Sequence, residues 1–175
     1  PVLVHVKARL PWLLVLMCSY VFTGGMIASF EASLSAVIAL VAYMPMLMGT
    51  GGNSGTQSST VIITGMATGA LELSDILKVL WKEFRIGIIV GICVSVLNYF
   101  RIVLFDHNGS LVALTVCFSM VLIVVIAKCI GALLPMIAKK IGIDPALIAG
   151  PMMASLTDMV ALGTYFTMAR IVLKI

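Results

Sequence analysis

Apolar positions in this chain gather into long runs, and most polar ones fall in short stretches between them. A helix that crosses a hydrocarbon core of roughly 30 Å needs about 20 mostly apolar residues. Five segments have that length: about 11–31, 34–66, 84–104, 111–138 and 145–170. The first opens on Pro11-Trp12 and closes at Glu31. The links are short, being Ala32-Ser33, Glu72 to Glu83, Phe105 to Ser110 and Lys139 to Asp144. This pattern predicts one all-α membrane bundle of five helices occupying residues 1–175 as a single domain. No strong internal repeat is visible, so an inverted-repeat architecture has no support in the sequence.

One run departs from the pattern. Between the apolar stretches "SAVIALVAYMPMLM" and "VIITGMATGAL" lies Gly49 to Thr60, "GTGGNSGTQSST", made of glycines and uncharged polar residues. Pro45, four residues upstream, removes one helical hydrogen bond. In lipid every backbone N–H and C=O needs a partner, so an opened backbone survives only inside protein or along a water-filled cavity. The segment is therefore expected to turn carbonyl oxygens toward a lumen, with Asn53, Thr56, Gln57 and Ser58 adding uncharged donors and acceptors. The competing expectation is a small-residue seam where helices pack closely. The two roles are compatible.

Composition and charge sharpen this. The 175 residues are 62% hydrophobic and 10% charged, with a mean hydropathy of +1.20. Soluble domains run near half apolar and a quarter charged. The chain is an integral membrane protein. Lys7, Arg9, Lys78, Lys82, Arg85, Lys139 and Lys140 fall on one side of the expected bundle, and Arg101, Arg170 and Lys174 on the other. Basic residues concentrate on the cytoplasmic side, which places the N-terminus inside and the C-terminus outside. The net charge of +4 follows from this topology, and nucleic-acid binding is not needed to explain it. Cys18, Cys93, Cys117 and Cys129 lie in apolar runs without C-x-x-C spacing, so buried reduced thiols acting as small hydrophobes are expected. The chain opens on Pro1 with no initiator methionine and no basic leader with a cleavage site. A piece of a longer chain, or a processed one, is expected.

Catalysis finds little footing. Gly52-Asn53-Ser54-Gly55 fits the short G-x-S-G pattern around intramembrane serine nucleophiles, but such a serine needs a base within hydrogen-bond reach. The two histidines, His5 and His107, fall outside the expected spans. An aspartyl protease would need two intramembrane aspartates sharing a proton, and only one is in a span. No G-x-x-x-x-G-K is present, so the glycines are not a nucleotide loop. No enzyme is expected.

That one aspartate is Asp158, in "GPMMASLTDMVALGTYF". Glu31, Glu72, Asp75, Glu83, Asp106 and Asp144 read as span ends or loops. Asp144 as N-cap with Pro145 at the first helical position is a good helix start. Asp158 then lies about 20 Å along the helix at roughly 1.5 Å per residue, deep in the hydrocarbon layer. A charge there is costly and functional by default. Ala146, Gly150 and Ala154 precede it at steps of four and form a small-residue face leading to the carboxylate. The plainer alternative is a buried pair of Asp158 with Lys128, the only basic residue inside a span, although Lys128 can also snorkel along its apolar stem.

Oxygen donors without clustered His or Cys suit a hard cation, such as Mg²⁺, Ca²⁺ or Mn²⁺. Mg²⁺ sheds water reluctantly, so a roomy ring of carbonyl, amide and carboxylate oxygens would hold it through its water shell. One carboxylate at about 5 Å attracts a divalent ion by roughly 6–7 kcal/mol at an effective dielectric near 20, before desolvation. Each chain supplies one Asp158, which favours a homodimer with the path on its two-fold axis. The expected lining is Gly49, Gly52, Asn53, Thr56 and Gln57 from the second span, with Gly150, Ala154 and Asp158 from the fifth. An ion-coupled carrier or exporter is the alternative.

At these residues the chain resembles the membrane domain of the MgtE family of magnesium channels. The resemblance covers nearly the whole chain and rests on "RLPWLL" at 9–14, "PMLMGTGGNSGTQSST" at 45–60 with "ATGALEL" after it, and "GIDPALIAGPMMASLTDM" at 142–159. It implies a homodimer of five-helix subunits whose second and fifth helices line a central pore for hydrated Mg²⁺; the choice between Mg²⁺ and other divalent cations such as Mn²⁺, Co²⁺ or Ca²⁺ stays open. It implies that Asp158 matches the pore aspartate, Asn53 a pore-lining position, and Asp144 an acid at the cytoplasmic edge that helps bind regulatory Mg²⁺. Some members carry a polar side chain where Gly150 stands. It also implies a cell-membrane protein, of the bacterial inner membrane, and a cytoplasmic regulatory region with CBS domains that this chain does not contain.

Overall fold

The computed structural model describes residues 2–31, 38–106, 109–146 and 151–174, and among these there are helices and no strand. Five long helices follow one another: α1 (Val2–Ser29), α2 (Ala39–Ala67), α3 (Ile76–Arg101), α4 (Ser110–Lys140) and α5 (Pro151–Leu173). A short 3₁₀ turn, Leu73–Asp75, leads into α3, and a π-helical turn, Ile102–Asp106, leaves it. The expected segments are recovered with shifted ends. α1 starts at Val2 and runs through Pro11, where Pro11-Trp12 had been expected to open it. α3 starts at Ile76, not at 84, because Glu72 and Asp75 form a reciprocal capping box around the 3₁₀ turn.

Two helix ends follow from glycine in the left-handed region. Gly69 has φ +75° just past the end of α2, and Gly142 has φ +77° just past α4. At the second, the Ile143 amide donates to Ala138 O at 2.9 Å and the Gly142 amide to Lys139 O at 3.2 Å. This is the Schellman arrangement, which only a residue without a Cβ enters cheaply. The chain then restarts as expected: Asp144 Oδ1 accepts the Ala146 amide at 2.9 Å, and Pro145 and Ala146 are helical. Residues 147–150, early in the fifth expected span, lie outside the described residues, as do 34–37 in the second.

α4 is the central element and packs against α2, α3 and α5, while α5 also contacts α2 and α1. Leu40, Tyr43 and Leu47 of α2, Val116, Met120 and Ile123 of α4, and Leu162, Tyr165 and Phe166 of α5 form the main apolar core. Tyr165 inside it donates its hydroxyl to Leu40 O at 2.9 Å. A smaller cluster of Ile62, Met66, Val79, Ala132 and Met136 fills the other end. α1 joins through its C-terminal part, where Phe30 beyond it stacks on Phe166 at 4.6 Å between centroids. At the end of α3, Tyr43 donates to Asp106 Oδ2 at 2.9 Å and Arg101 pairs with the same oxygen at 3.3 Å.

Much of the outer surface is apolar. Leu77, Leu97 and Phe105 are more than 70% exposed, which water tolerates poorly over so wide an area and lipid does not penalise. Four helices among the described residues are long and apolar enough to cross a membrane: Val2–Ser29, Leu73–Asp106, Ser110–Lys140 and Met152–Leu173. α2 has the length, with 29 residues, but is not among them. The four cysteines are free thiols; Cys117 is buried as expected, whereas Cys18 and Cys93 lie on the exposed surface.

The tightest helix contact is between α2 and α4. A Cβ built on Gly131 would collide with the carbonyl of Gly55, and backbone cannot give way as a side chain can. Gly131→Ala should therefore cost about 1–3 kcal/mol through overpacking. The expected result is a lower unfolding temperature in detergent; an unchanged one would show that the α2–α4 contact is loose.

Candidate functional site

α2 carries two polar populations on opposite faces. Gly51, Ser54, Gly55, Ser58 and Ser59 are buried with Leu47 and Ile62 against the rest of the bundle. Gly49, Asn53, Thr56, Gln57 and Thr60 are exposed. Their spacing of three and four places them on one side of the helix. Asn53, Thr56, Gln57, Thr60 and Val61 line an open groove of about 670 Å³. Thr60 returns its hydroxyl to Thr56 O at 2.9 Å. No side-chain hydrogen bond is made by Asn53 or Gln57 among the described residues.

The helix is continuous through Pro45 and all four glycines, which corrects the expectation that this stretch opens its backbone. Its carbonyls stay in the helical ladder, and the groove is lined by side chains. The glycines serve packing instead. Gly51 faces Ile123 and Thr157, and Gly55 faces Met153, Thr157 and the Ala127 carbonyl. Gly49 has no neighbour within 4 Å of a would-be Cβ, so it adds width to the exposed side.

α5 carries Asp158, which is not among the residues lining that groove. Thr157 is buried, and its hydroxyl donates to Met153 O at 2.6 Å. A Cβ on Gly52 would stand 3.7 Å from that hydroxyl oxygen. The neighbours of these two residues in sequence are Asn53 and Asp158. Asp158 is half-buried and, among the described residues, has neither a hydrogen bond nor an ion pair. Ala154, one turn earlier, is exposed, and Gly150 lies outside the described residues. Asp144 is exposed and occupied as the cap of Ala146. No three His, Cys, Asp or Glu side chains among the described residues cluster as metal ligands. The chain thus offers one carboxylate without a partner among the described residues and, on another helix, a row of amides and hydroxyls, and oxygen donors of this kind suit a cation that keeps its water shell better than one stripped bare.

One buried ionisable group was misjudged from sequence, and a second had been left without a settled role. Glu83, expected in a loop before the third span, lies inside α3 and is 6% exposed. Lys128 is 5% exposed and does not pair with Asp158. It donates to Ser58 Oγ at 3.4 Å, and Ser58 Oγ donates to Glu83 Oε2 at 2.5 Å. Asp158 is therefore not the only acid within the helices. A signal was present: Glu83, Gly87, Gly91 and Ser95 recur at steps of four, a small-residue seam that puts Glu83 on the packed side of α3.

The MgtE family, described as a divalent cation transporter, matches residues 44–168. The magnesium transporter MgtE of Thermus thermophilus is 40% identical over 167 residues, which is 95% of this chain and 37% of the relative. Its namesake in Bacillus subtilis is 35% identical over 161 residues, 92% of this chain and 36% of the relative. The Enterococcus faecalis protein of the same name is 28% identical over 166 residues. The chain thus spans a little over a third of the length of the relatives it matches.

An unpaired carboxylate makes a distinct prediction. Asp158→Asn breaks no contact, so its unfolding temperature in chelator should lie within about 2–4 °C of the parent's, the shift expected for no more than 1 kcal/mol. Millimolar Mg²⁺ should then raise the parent's unfolding temperature and leave the variant's unchanged, since only a binding site stabilises by mass action. A large loss of stability in chelator would reveal a hidden structural partner.

Proposed function

The chain belongs to the MgtE family of divalent cation transporters, and from that premise we propose that its helices form a passive path for hydrated Mg²⁺ across the cell membrane. The observation that carries the reading is a pair of unmet needs in one bundle: a half-buried Asp158 with no hydrogen bond or ion pair among the described residues, and an exposed row of amides and hydroxyls on α2. A charge on a membrane helix without a partner in its own chain needs water, a partner copy or a cation. Asn53 and Gln57 need the same, because amides facing hydrocarbon lose several kcal/mol each.

A second copy related by a two-fold axis answers both needs. The α2 grooves of two copies would face one another and enclose a wet passage, with two Asp158 carboxylates near its middle. The water shell of Mg²⁺ presents protons outward. Carboxylate, amide and hydroxyl oxygens of Asp158, Asn53, Gln57 and Thr60 accept them without displacing the water. The five-helix topology runs from a cytoplasmic N-terminus to an outer C-terminus, α2 being the fifth span that its polar face keeps from reading as apolar. With the inside negative, a divalent ion gains about 4–5 kcal/mol inward per 100 mV. Passive conduction is therefore uptake.

An ion-coupled carrier is the second reading. What favours it is the buried Glu83, a second acid within the helices, since carriers use ionisable relays. The two readings part in liposomes holding a Mg²⁺ gradient and no pH or Na⁺ gradient. The channel reading expects Mg²⁺ flux through the parent, cut roughly tenfold or more by Asp158→Asn, because a tenfold change is only about 1.4 kcal/mol of electrostatic attraction. Strict dependence on a second ion's gradient would sink the channel, and no flux under any gradient would sink both.

A further inference from the structure

The cluster of Glu83, Ser58 and Lys128 takes no part in the groove, yet it joins three helices at their closest approach. Its members come from α3, α2 and α4 and are 6%, 2% and 5% exposed. The 2.5 Å separation of Ser58 Oγ and Glu83 Oε2 is that of a charge-assisted O–H···O⁻ bond. The serine proton therefore points at Glu83, and its lone pairs face Lys128 Nζ at 3.4 Å. An ammonium has donors only, so this one direction of bonding gives each of the three groups a partner. The cluster is a buried ion pair bridged by a hydroxyl.

The helices around it meet through glycine. Gly131 of α4 lies against the Gly55 carbonyl of α2, and a Cβ on Gly87 of α3 would fall 2.9 Å from Val125 Cα of α4. Ser58 is three residues from Gly55, Lys128 three from Gly131, and Glu83 four from Gly87, so each polar group shares the face of its seam. Glycine seams allow close approach, but their smooth surfaces resist rotation weakly. A satisfied polar bridge has far fewer solutions than a smooth surface.

We propose that the Glu83–Ser58–Lys128 bridge is a positioning element that fixes the rotation of α2 about its own axis and so decides which side chains face the ion path. Ser58 directly follows Gln57, and one residue is about 100° of helix rotation. A turn of that size would carry Gln57 and Thr60 out of the groove. The inference rests on the reading of that groove as a water-filled path, and its test separates the two.

Cysteine at Thr60, in the groove, and cysteine at Ile62, on the buried side, report the rotation of α2 by their reaction with a membrane-impermeant thiol reagent in vesicles. In the otherwise unchanged protein, Thr60→Cys should react fast and Ile62→Cys slowly. Failure of Thr60→Cys to react there would overturn the water-filled path and this inference with it. The double variant Glu83→Gln/Lys128→Met strands no charge, so the bundle should still form. In it the rate at Thr60→Cys should fall severalfold, the rate at Ile62→Cys should rise, and the ratio of Mg²⁺ to Ca²⁺ flux should drop. Ser58→Ala, which removes only the bridging hydroxyl, should shift all three the same way. Parental reaction rates and flux ratio in both variants would show the bridge to be structural only and overturn the proposal.

Discussion

In a helix that crosses lipid, no polar group is allowed to stand without a partner. Water is absent, and an orphaned amide or carboxylate carries its full desolvation penalty. The backbone meets this rule by staying helical through Pro45 and four glycines of α2, which is why a stretch that looks breakable in sequence does not break. The side chains meet it unevenly. On the inner face of α2, Ser58 is bonded to Glu83 and Lys128. On the outer face, Asn53 and Gln57 are left unbonded, and on α5 so is Asp158. Ser59 Oγ, Asn98 Nδ2 and Ser155 Oγ are unmet as well, but buried; it is the accessible amides and the half-buried carboxylate, rather than any ligand cluster among the described residues, that mark the candidate site.

The parts legible in the sequence were those where local chemistry and the membrane requirement agree. Asp144 with Pro145 starts a helix, and Gly142 ends the one before; both follow from capping alone. The polar lining residues of α2 and Asp158 were visible as polar residues in apolar surroundings, although the lining was expected from an opened backbone and not from one face of a continuous helix. The glycines were ambiguous because absence of a Cβ serves a sharp turn and a close helix contact equally well. Only the neighbours decide, and Ala127, Gly131 and Thr157 are far away in sequence.

Glu83 was lost for a different reason. Lys78, Lys82, Glu83 and Arg85 sit together in sequence, and an average over the window reads them as a loop. In the fold they separate by face. Lys82 and Arg85 are exposed, and Glu83 is buried against α2 and α4. Averaged hydropathy discards the very phase that distinguishes a solvated charge from a paired one. Lys128 shows the converse, since its isolation in an apolar run invited pairing with Asp158, the other isolated charge. Its partner is instead Ser58 of α2, which in turn bonds Glu83, a residue counted as loop.

The packing of α2 and its polar outer face are two consequences of one division of labour. Small residues at Gly51, Gly55, Ser58 and Ser59 let α2 sit close to α4 and α5, so its entire inner face is committed to contacts within the chain. Apolar residues suited to lipid are correspondingly few on the other side, where Asn53, Thr56, Gln57 and Thr60 stand. Among the described residues α2 is thus a helix of spanning length that fails the apolar requirement its four companions meet. A helix held centrally by its own bundle and unfit for lipid on its free face has to present that face to water or to a matching surface. Asp158, the residue after the Thr157 that approaches Gly52, adds to the same bundle a carboxylate without a partner among the described residues.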